Sequence, residues 1–145
     1  MDGINILLVE DNEGDILLTT EAADDSGIVE NIRVIKDGKE AIKFFEGLTK
    51  QEEIPQLVLL DINLPKVSGQ EVLTYIKNNE KFKSIPVIML TTSSSAKDIE
   101  QSYKNHANCY ITKPIDAVDF KKAIHTLGDF WTHIASIPAG KTHQH

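Results

Sequence analysis

The sequence predicts a doubly wound α/β fold: five parallel strands in the order 2-1-3-4-5, with helices on both faces of the sheet. Three observations carry this. Short apolar runs alternate five times with stretches of helical periodicity, the pattern of βα units joined by right-handed crossovers. The middle run, Leu57-Val58-Leu59-Leu60, has no polar face, so it reads as a strand buried on both sides. No linker, repeat or low-complexity block divides the 145 residues, a length that suits one domain. Together they describe a single flavodoxin-like sandwich with its core at about 3–137 and a polar tail at 138–145. In this order the sheet reverses direction between its first and third strands, and ligands gather at the carboxyl ends of those strands.

Each element has its own signal. Ile4 to Val9 is the first strand, ended by Glu10-Asp11-Asn12. A helix from about Gly14 to Asp25 follows, with Leu18 and Ala22 on one face and Ser26-Gly27 as its stop. Ile32 to Ile35 is a weaker second strand. Asp37-Gly38 turns the chain into a second helix, which carries Ala41, Ile42, Phe44 and Phe45 and closes at Gly47. Leu48 to Gln56 is a polar connector. The third strand ends at Asp61, and Pro65 and Gly69 stop it. A third helix, about Ser68 to Asn79, places Val72, Leu73 and Ile76 at helical spacing. Pro86 to Leu90 is a fourth buried strand, running into Thr91 and a Thr/Ser-rich stretch. The helix from about Ala96 to Asn105 reads as faintly amphipathic and is expected to pack least firmly. Cys109-Tyr110-Ile111 is a short fifth strand before Lys113-Pro114, a junction that holds Lys113 extended and tolerates a cis bond. Asp116 is expected to cap the last helix. Its stripe of Phe120, Ala123, Ile124, Leu127, Trp131 and Ile134 reads as core. Trp131 and Ile134 run past what one sheet face covers, so a homodimer surface is expected there.

Bulk properties narrow the function. A net charge of -7 argues against a nonspecific grip on nucleic acid or an anionic membrane, and suits a divalent cation or a basic partner. One cysteine, Cys109, excludes an internal disulfide and fits a reducing compartment. No signal peptide is evident and no apolar stretch approaches the roughly 20 residues of a membrane span, so a soluble, cytoplasmic protein is expected. The five histidines fit no metal-ligand spacing.

The predicted topology brings Glu10 and Asp11, after the first strand, beside Asp61, at the end of the third. Three carboxylates at close range repel one another unless a cation joins them. With oxygen donors and no His or Cys in the motif, the fitting ion is Mg2+ rather than Zn2+. Asp61 can then act as a nucleophile toward a phosphoryl group, giving an aspartyl phosphate. Thr91 and Lys113 end the fourth and fifth strands with a hydroxyl and an ammonium, both able to grip phosphoryl oxygens. Each residue alone has an ordinary reading: Asp61 as a turn former, Glu10 and Asp11 as solvated acids, Lys113 as a surface lysine, Tyr110 as a half-buried packing residue. Their joint placement at strand ends favours the functional one.

This constellation resembles the receiver domain of two-component response regulators, in which an acidic pair, an Asp, a Thr or Ser and a Lys-Pro follow strands one, three, four and five. Here these are Glu10-Asp11, Asp61, Thr91 and Lys113-Pro114, and the resemblance covers about 3–137. It implies that Asp61 accepts a phosphoryl group from a sensor histidine kinase or phosphotransfer protein. It implies that Asp11, Asp61 and the backbone carbonyl of Asn63 bind Mg2+, with Glu10 helping through water. It implies that Tyr110 is a switch residue that turns inward as Thr91 moves toward the phosphoryl group. Glu-Asp-Asn followed by Asp15, the Asp-x-Asn-Leu-Pro segment, the Thr-Thr-Ser run and Phe130-Trp131 are similar to stand-alone receivers, among them the cyanobacterial phytochrome response regulators. No basic recognition helix follows, so output by protein contact is expected, at the fourth helix, fifth strand and last helix.

Two other classes fit less well. A phosphatase with an Asp nucleophile usually has a second acid two residues on, where this chain has Asn63, which cannot serve as a general acid. A flavin binder needs a phosphate-cradling loop after the first strand, where Glu10 and Asp11 would repel phosphate.

Overall fold

The computed structural model describes residues 3–92 and 96–126. Five strands form one sheet, β1 (Ile4–Val9), β2 (Val29–Ile35), β3 (Leu57–Asp61), β4 (Val87–Thr91) and β5 (Cys109–Thr112). Their order is β2-β1-β3-β4-β5 and every neighbouring pair is parallel, as the sequence predicts. The helices are α1 (Glu13–Ser26), α2 (Gly38–Glu46), α3 (Gly69–Lys77), α4 (Ala96–Lys104) and α5 (Ala117–Thr126), with a short 3₁₀ turn at Gln51–Glu53 in the connector before β3.

The strand pleat sorts one apolar run into two cores. Ile4, Ile6 and Leu8 of β1 and Leu57 and Leu59 of β3 pack with Ala22 and Ala23 of α1 and Phe120 and Ile124 of α5. Leu7 and Val9, with Val58 and Leu60, pack on the other side with Phe45 of α2 and Leu73 and Ile76 of α3. Both layers are lined by buried apolar side chains, which is why the central strands show no polar alternation.

Helix ends follow local chemistry. Asn12 caps α1 by accepting the Asp15 N–H at 2.9 Å, and Gly27, at φ 75°, closes it. Asp37 caps α2 through the Glu40 N–H, so Asp37-Gly38 is the cap and first residue of that helix rather than a separate turn. Ser68 caps α3. Asp116 accepts the Asp119 N–H at 2.8 Å, as expected for the start of α5. The Lys113-Pro114 bond is cis.

Three expectations need correction. Leu18 faces outward, 43 % exposed. The buried side of α1 is Thr19, Ala22, Ala23 and Ser26, small side chains that let the helix lie close to its neighbours. The second strand starts at Val29, not Ile32. It is an edge strand, and its exposed Glu30, Asn31 and Arg33 hide the apolar pattern. The fourth helix is clearly rather than faintly amphipathic. Phe120, Ala123 and Ile124 are buried as expected, while Leu127, Trp131, Ile134 and the dimer surface placed there lie outside the described residues. Among the described residues no helix is long and apolar enough to cross a membrane.

Candidate functional site

Strand register assembles the site. Val9 lies level with Leu60 across the β1–β3 pair, so Glu10, one step beyond the strand, comes level with Asp61. Asp61 pairs with Leu90 and Thr91 pairs with Thr112, which sets Thr91 and Lys113 at the same sheet edge. The ladder continues past the strands: Ile62 N–H donates to Leu90 O at 3.0 Å and Lys113 N–H to Thr91 O at 2.7 Å. Thr91 is the last residue of β4 rather than the first after it, and is fully buried.

The acids form a burial gradient. Glu10 is 0 % exposed, Asp61 4 %, and Asp11 faces solvent. One oxygen from each lies within 4.8 Å of the others. The Asn63 N–H donates to Asp61 Oδ1 at 3.1 Å and the Asn12 N–H to Glu10 Oε2 at 3.2 Å, so the turns after β1 and β3 both aim an amide at a carboxylate. Lys113 supplies the balancing charge. Its side chain is 6 % exposed, and the ammonium stands 2.6 Å from Glu10 Oε1, 3.0 Å from Asp15 Oδ2 and 3.3 Å from Asp61 Oδ2.

The electrostatics follow from this geometry. Burial pushes the Glu10 carboxyl up to about 7; the Lys113 hydrogen bond pulls it down, and Asp61 beside it pushes it further up. Burial opposes the Lys113 ammonium, yet Glu10, Asp15 and Asp61 outweigh it and raise its pKa. A carboxyl whose folded pKa exceeds its unfolded value binds a proton on folding. The stability this contributes is complete below the unfolded pKa and is lost as pH rises through the folded one. Over the rise from its ordinary 4.5 to about 7, the metal-free protein should therefore lose about 3 kcal/mol. Denaturant unfolding between pH 4.5 and 8 should show that decline and Glu10→Gln should flatten it; an equal slope in the variant would assign the proton elsewhere.

The structure thus gathers Glu10, Asp11, Asp61 and Lys113 into one cluster, adds Thr91 by register and Asn63 through its amide. Tyr110 stands apart from it: half-buried on β5, it meets Tyr103 of α4 edge to face at 5.8 Å. Asp15 is the site residue that sequence reasoning did not assign. An acid in the first turn of a helix has an ordinary explanation in the helix dipole, and nothing local to it points to a lysine 98 positions away. The donor set, all oxygen, suits a hard divalent cation; Glu10, Asp11 and Asp61 are the groups brought together that could hold one.

A parallel sheet of this order, with an acidic pair, an Asp, a Thr and a Lys at its switch-point edge, defines a receiver. The chain belongs to the response regulator receiver domain family of two-component signalling, whose sequence model matches residues 6–125. It is 40 % identical over 136 residues to response regulator Rcp1 of Synechocystis sp., covering 92 % of each chain. It is 40 % identical over 133 residues to the probable methanogenesis regulatory protein FilR2 of Methanothrix harundinacea, covering 90 % of this chain and 84 % of that one. Among solved structures it is similar to the Mn2+-bound form of Rcp1, with a TM-score of 0.71 at 41 % identity over 88 % of this chain and 94 % of the other. The phosphorylated cyanobacterial phytochrome response regulator RcpA gives 0.72 at 39 % identity over 90 % and 94 %.

Proposed function

We propose that this chain is a stand-alone response regulator that takes a phosphoryl group on Asp61 from a sensor histidine kinase or phosphotransfer protein. The observation that carries it is the buried Asp61 carboxylate held between Glu10, Asp11 and the Lys113 ammonium. The near-complete overlap with Rcp1, and the phosphorylated state of the similar RcpA structure, support the reading.

In this reading an Asp61 oxygen attacks phosphorus and the bond from phosphorus to the donor imidazole nitrogen breaks, its electrons leaving with the imidazole. Lys113, at 3.3 Å from Asp61, offsets the charge delivered to the phosphoryl oxygens. The Thr91 hydroxyl supplies a neutral hydrogen bond at the same edge. The Asn63 N–H fixes the orientation of the Asp61 carboxylate. Glu10, Asp11, Asp61 and the Asn63 carbonyl would hold Mg2+, which offsets the negative charge of the donor as it approaches.

The chain catalyses its own phosphorylation and dephosphorylation and no other reaction. Its output is protein contact in the cytoplasm, with neither nucleic acid nor membrane as partner, in keeping with a net charge of -7. The contact surface is α4, β5 and α5 around Tyr110, where Tyr103 and Val118 are 48 % and 60 % exposed. Tyr110 and Thr91 report the phosphoryl group by a population shift between two arrangements.

Intact-mass spectrometry after incubation with a small phosphodonor tests the reading. The expected result is a single Mg2+-dependent phosphoryl adduct on the wild type and none on Asp61→Asn. No adduct on the wild type, or one that survives in Asp61→Asn, overturns it.

A further inference from the structure

Among the described residues Lys113 has three anionic partners, and one of them comes from outside the strand-end set. Asp15 belongs to the first turn of α1 and lies 3.0 Å from the Lys113 ammonium, closer than Asp61 at 3.3 Å. Its own N–H is tied to the Asn12 side chain at 2.9 Å, so the start of the helix holds its backbone in place. With 27 % of its side chain exposed against 6 % for Lys113, Asp15 closes the solvent side of an otherwise buried ammonium.

We infer that Asp15 is a positioning residue that holds the Lys113 ammonium in place for phosphoryl transfer to Asp61. Glu10 and Asp61 belong to the cluster able to hold a cation, and each would have to share its oxygens between that cation and Lys113. Asp15 lies outside that cluster. It is the one of the three partners free to stay with Lys113 throughout. A carboxylate–ammonium pair with hydrogen-bond geometry is about twice as strong as a neutral contact, and burial on the lysine side protects it from solvent screening. Without it, a side chain with four rotatable bonds would have only the contested carboxylates to fix it, and would compete with the cation for them. This inference rests on the phosphoacceptor reading for its consequence but not for its geometry.

The test uses the full chain and three proteins: wild type, Asp15→Asn and Asp15→Glu. Asn keeps the size and the backbone cap while removing the charge; Glu restores the charge. The first readout is the acylation rate of Lys113 by a small amine-reactive ester at saturating Mg2+, followed by peptide mass spectrometry. It needs no phosphorylation, so it scores the inference even if Asp61 takes no phosphoryl group. Asp15→Asn should raise that rate about five-fold, the scale of one partly exposed charged hydrogen bond, and Asp15→Glu should return it toward wild type. The second readout is the rate of adduct formation with a small phosphodonor. It should fall about ten-fold in Asp15→Asn at saturating donor, with the half-saturating donor concentration little changed, because a loosened lysine affects the transfer step rather than donor capture. An unchanged Lys113 acylation rate in Asp15→Asn overturns the inference. So does a raised acylation rate with undiminished phosphorylation, which would make Asp15 only a lid over the ammonium. If Asp15→Asn fails to fold, Asp15→Ser, which also removes the charge, is read by the same criteria with Asp15→Glu as the charge-restored control.

Discussion

Lys113→Met should destabilise the metal-free protein by about 3 kcal/mol and, in the same variant, tighten its grip on Mg2+. The two effects have one cause. The Lys113 ammonium sits within 3.3 Å of carboxylates from Glu10, Asp15 and Asp61, and Glu10 and Asp61 are nearly inaccessible to water. Removing one partner of a buried charge cluster leaves the others uncompensated, at a cost of roughly 3–5 kcal/mol. Glu10 relieves part of that by taking a proton, which its raised pKa of about 7 already favours, so the lower end of the range is expected near neutral pH. A divalent cation relieves the rest, and no longer has to compete with an ammonium for the same oxygens. Urea unfolding of wild type and variant, with and without Mg2+, measures both. The stability gap should narrow as Mg2+ is added, and the variant should reach half-saturation at lower Mg2+. A variant as stable as wild type without metal, with unchanged Mg2+ affinity, would show that Lys113 does not balance this cluster.

That prediction uses residues whose places were legible in the sequence. Glu10, Asp61, Thr91 and Lys113 each stand at the end of an apolar run, and the parallel topology brings such ends to one edge. No side-chain detail is needed to gather them. What the sequence hid was lateral. Asp15 reaches Lys113 from the flank of the sheet, and first-turn acids are too common for one to stand out. Leu18 misled for a related reason. A leucine beside an alanine four positions on looks like a buried face, but α1 turns its small residues inward, and Leu17 and Leu18 remain 59 % and 43 % exposed. At the sheet edge, Glu30, Asn31 and Arg33 interrupt the period of β2, and backbone pairing with β1 carries the strand back to Val29 regardless. Central strands write their fold in composition because both faces are buried; edges and helix flanks do not.

Gly69→Ala should be the most damaging single-methyl change near the site. Gly69 opens α3, and its N–H donates to Ile62 O at 3.0 Å, pressing the helix start against the turn after β3. A Cβ there would lie 2.1 Å from Asp61 O and 2.7 Å from Ile62 Cα, both backbone atoms. No rotamer change relieves such a contact. Asp61 cannot yield, because β3 is paired on both sides, with β1 and β4. The start of α3 must therefore move, disturbing the Ser68 cap and the turn from which Asn63 donates to Asp61. A cost of about 3 kcal/mol is expected, at the upper end for overpacking because the clash is with backbone. Adduct formation on Asp61 should slow about ten-fold or more, since orientation errors of this size weigh heavily on transfer. Gly47→Ala is the control. Its φ is -86°, and its Cβ would meet nothing nearer than Lys43 O at 3.5 Å. That change should be neutral, or stabilising by about 0.5 kcal/mol through the unfolded chain. Denaturant melts of the two variants side by side separate the close approach at Asp61 from the generic effect of replacing glycine. Equal stabilities would mean that α3 shifts freely and does not brace the turn after Asp61.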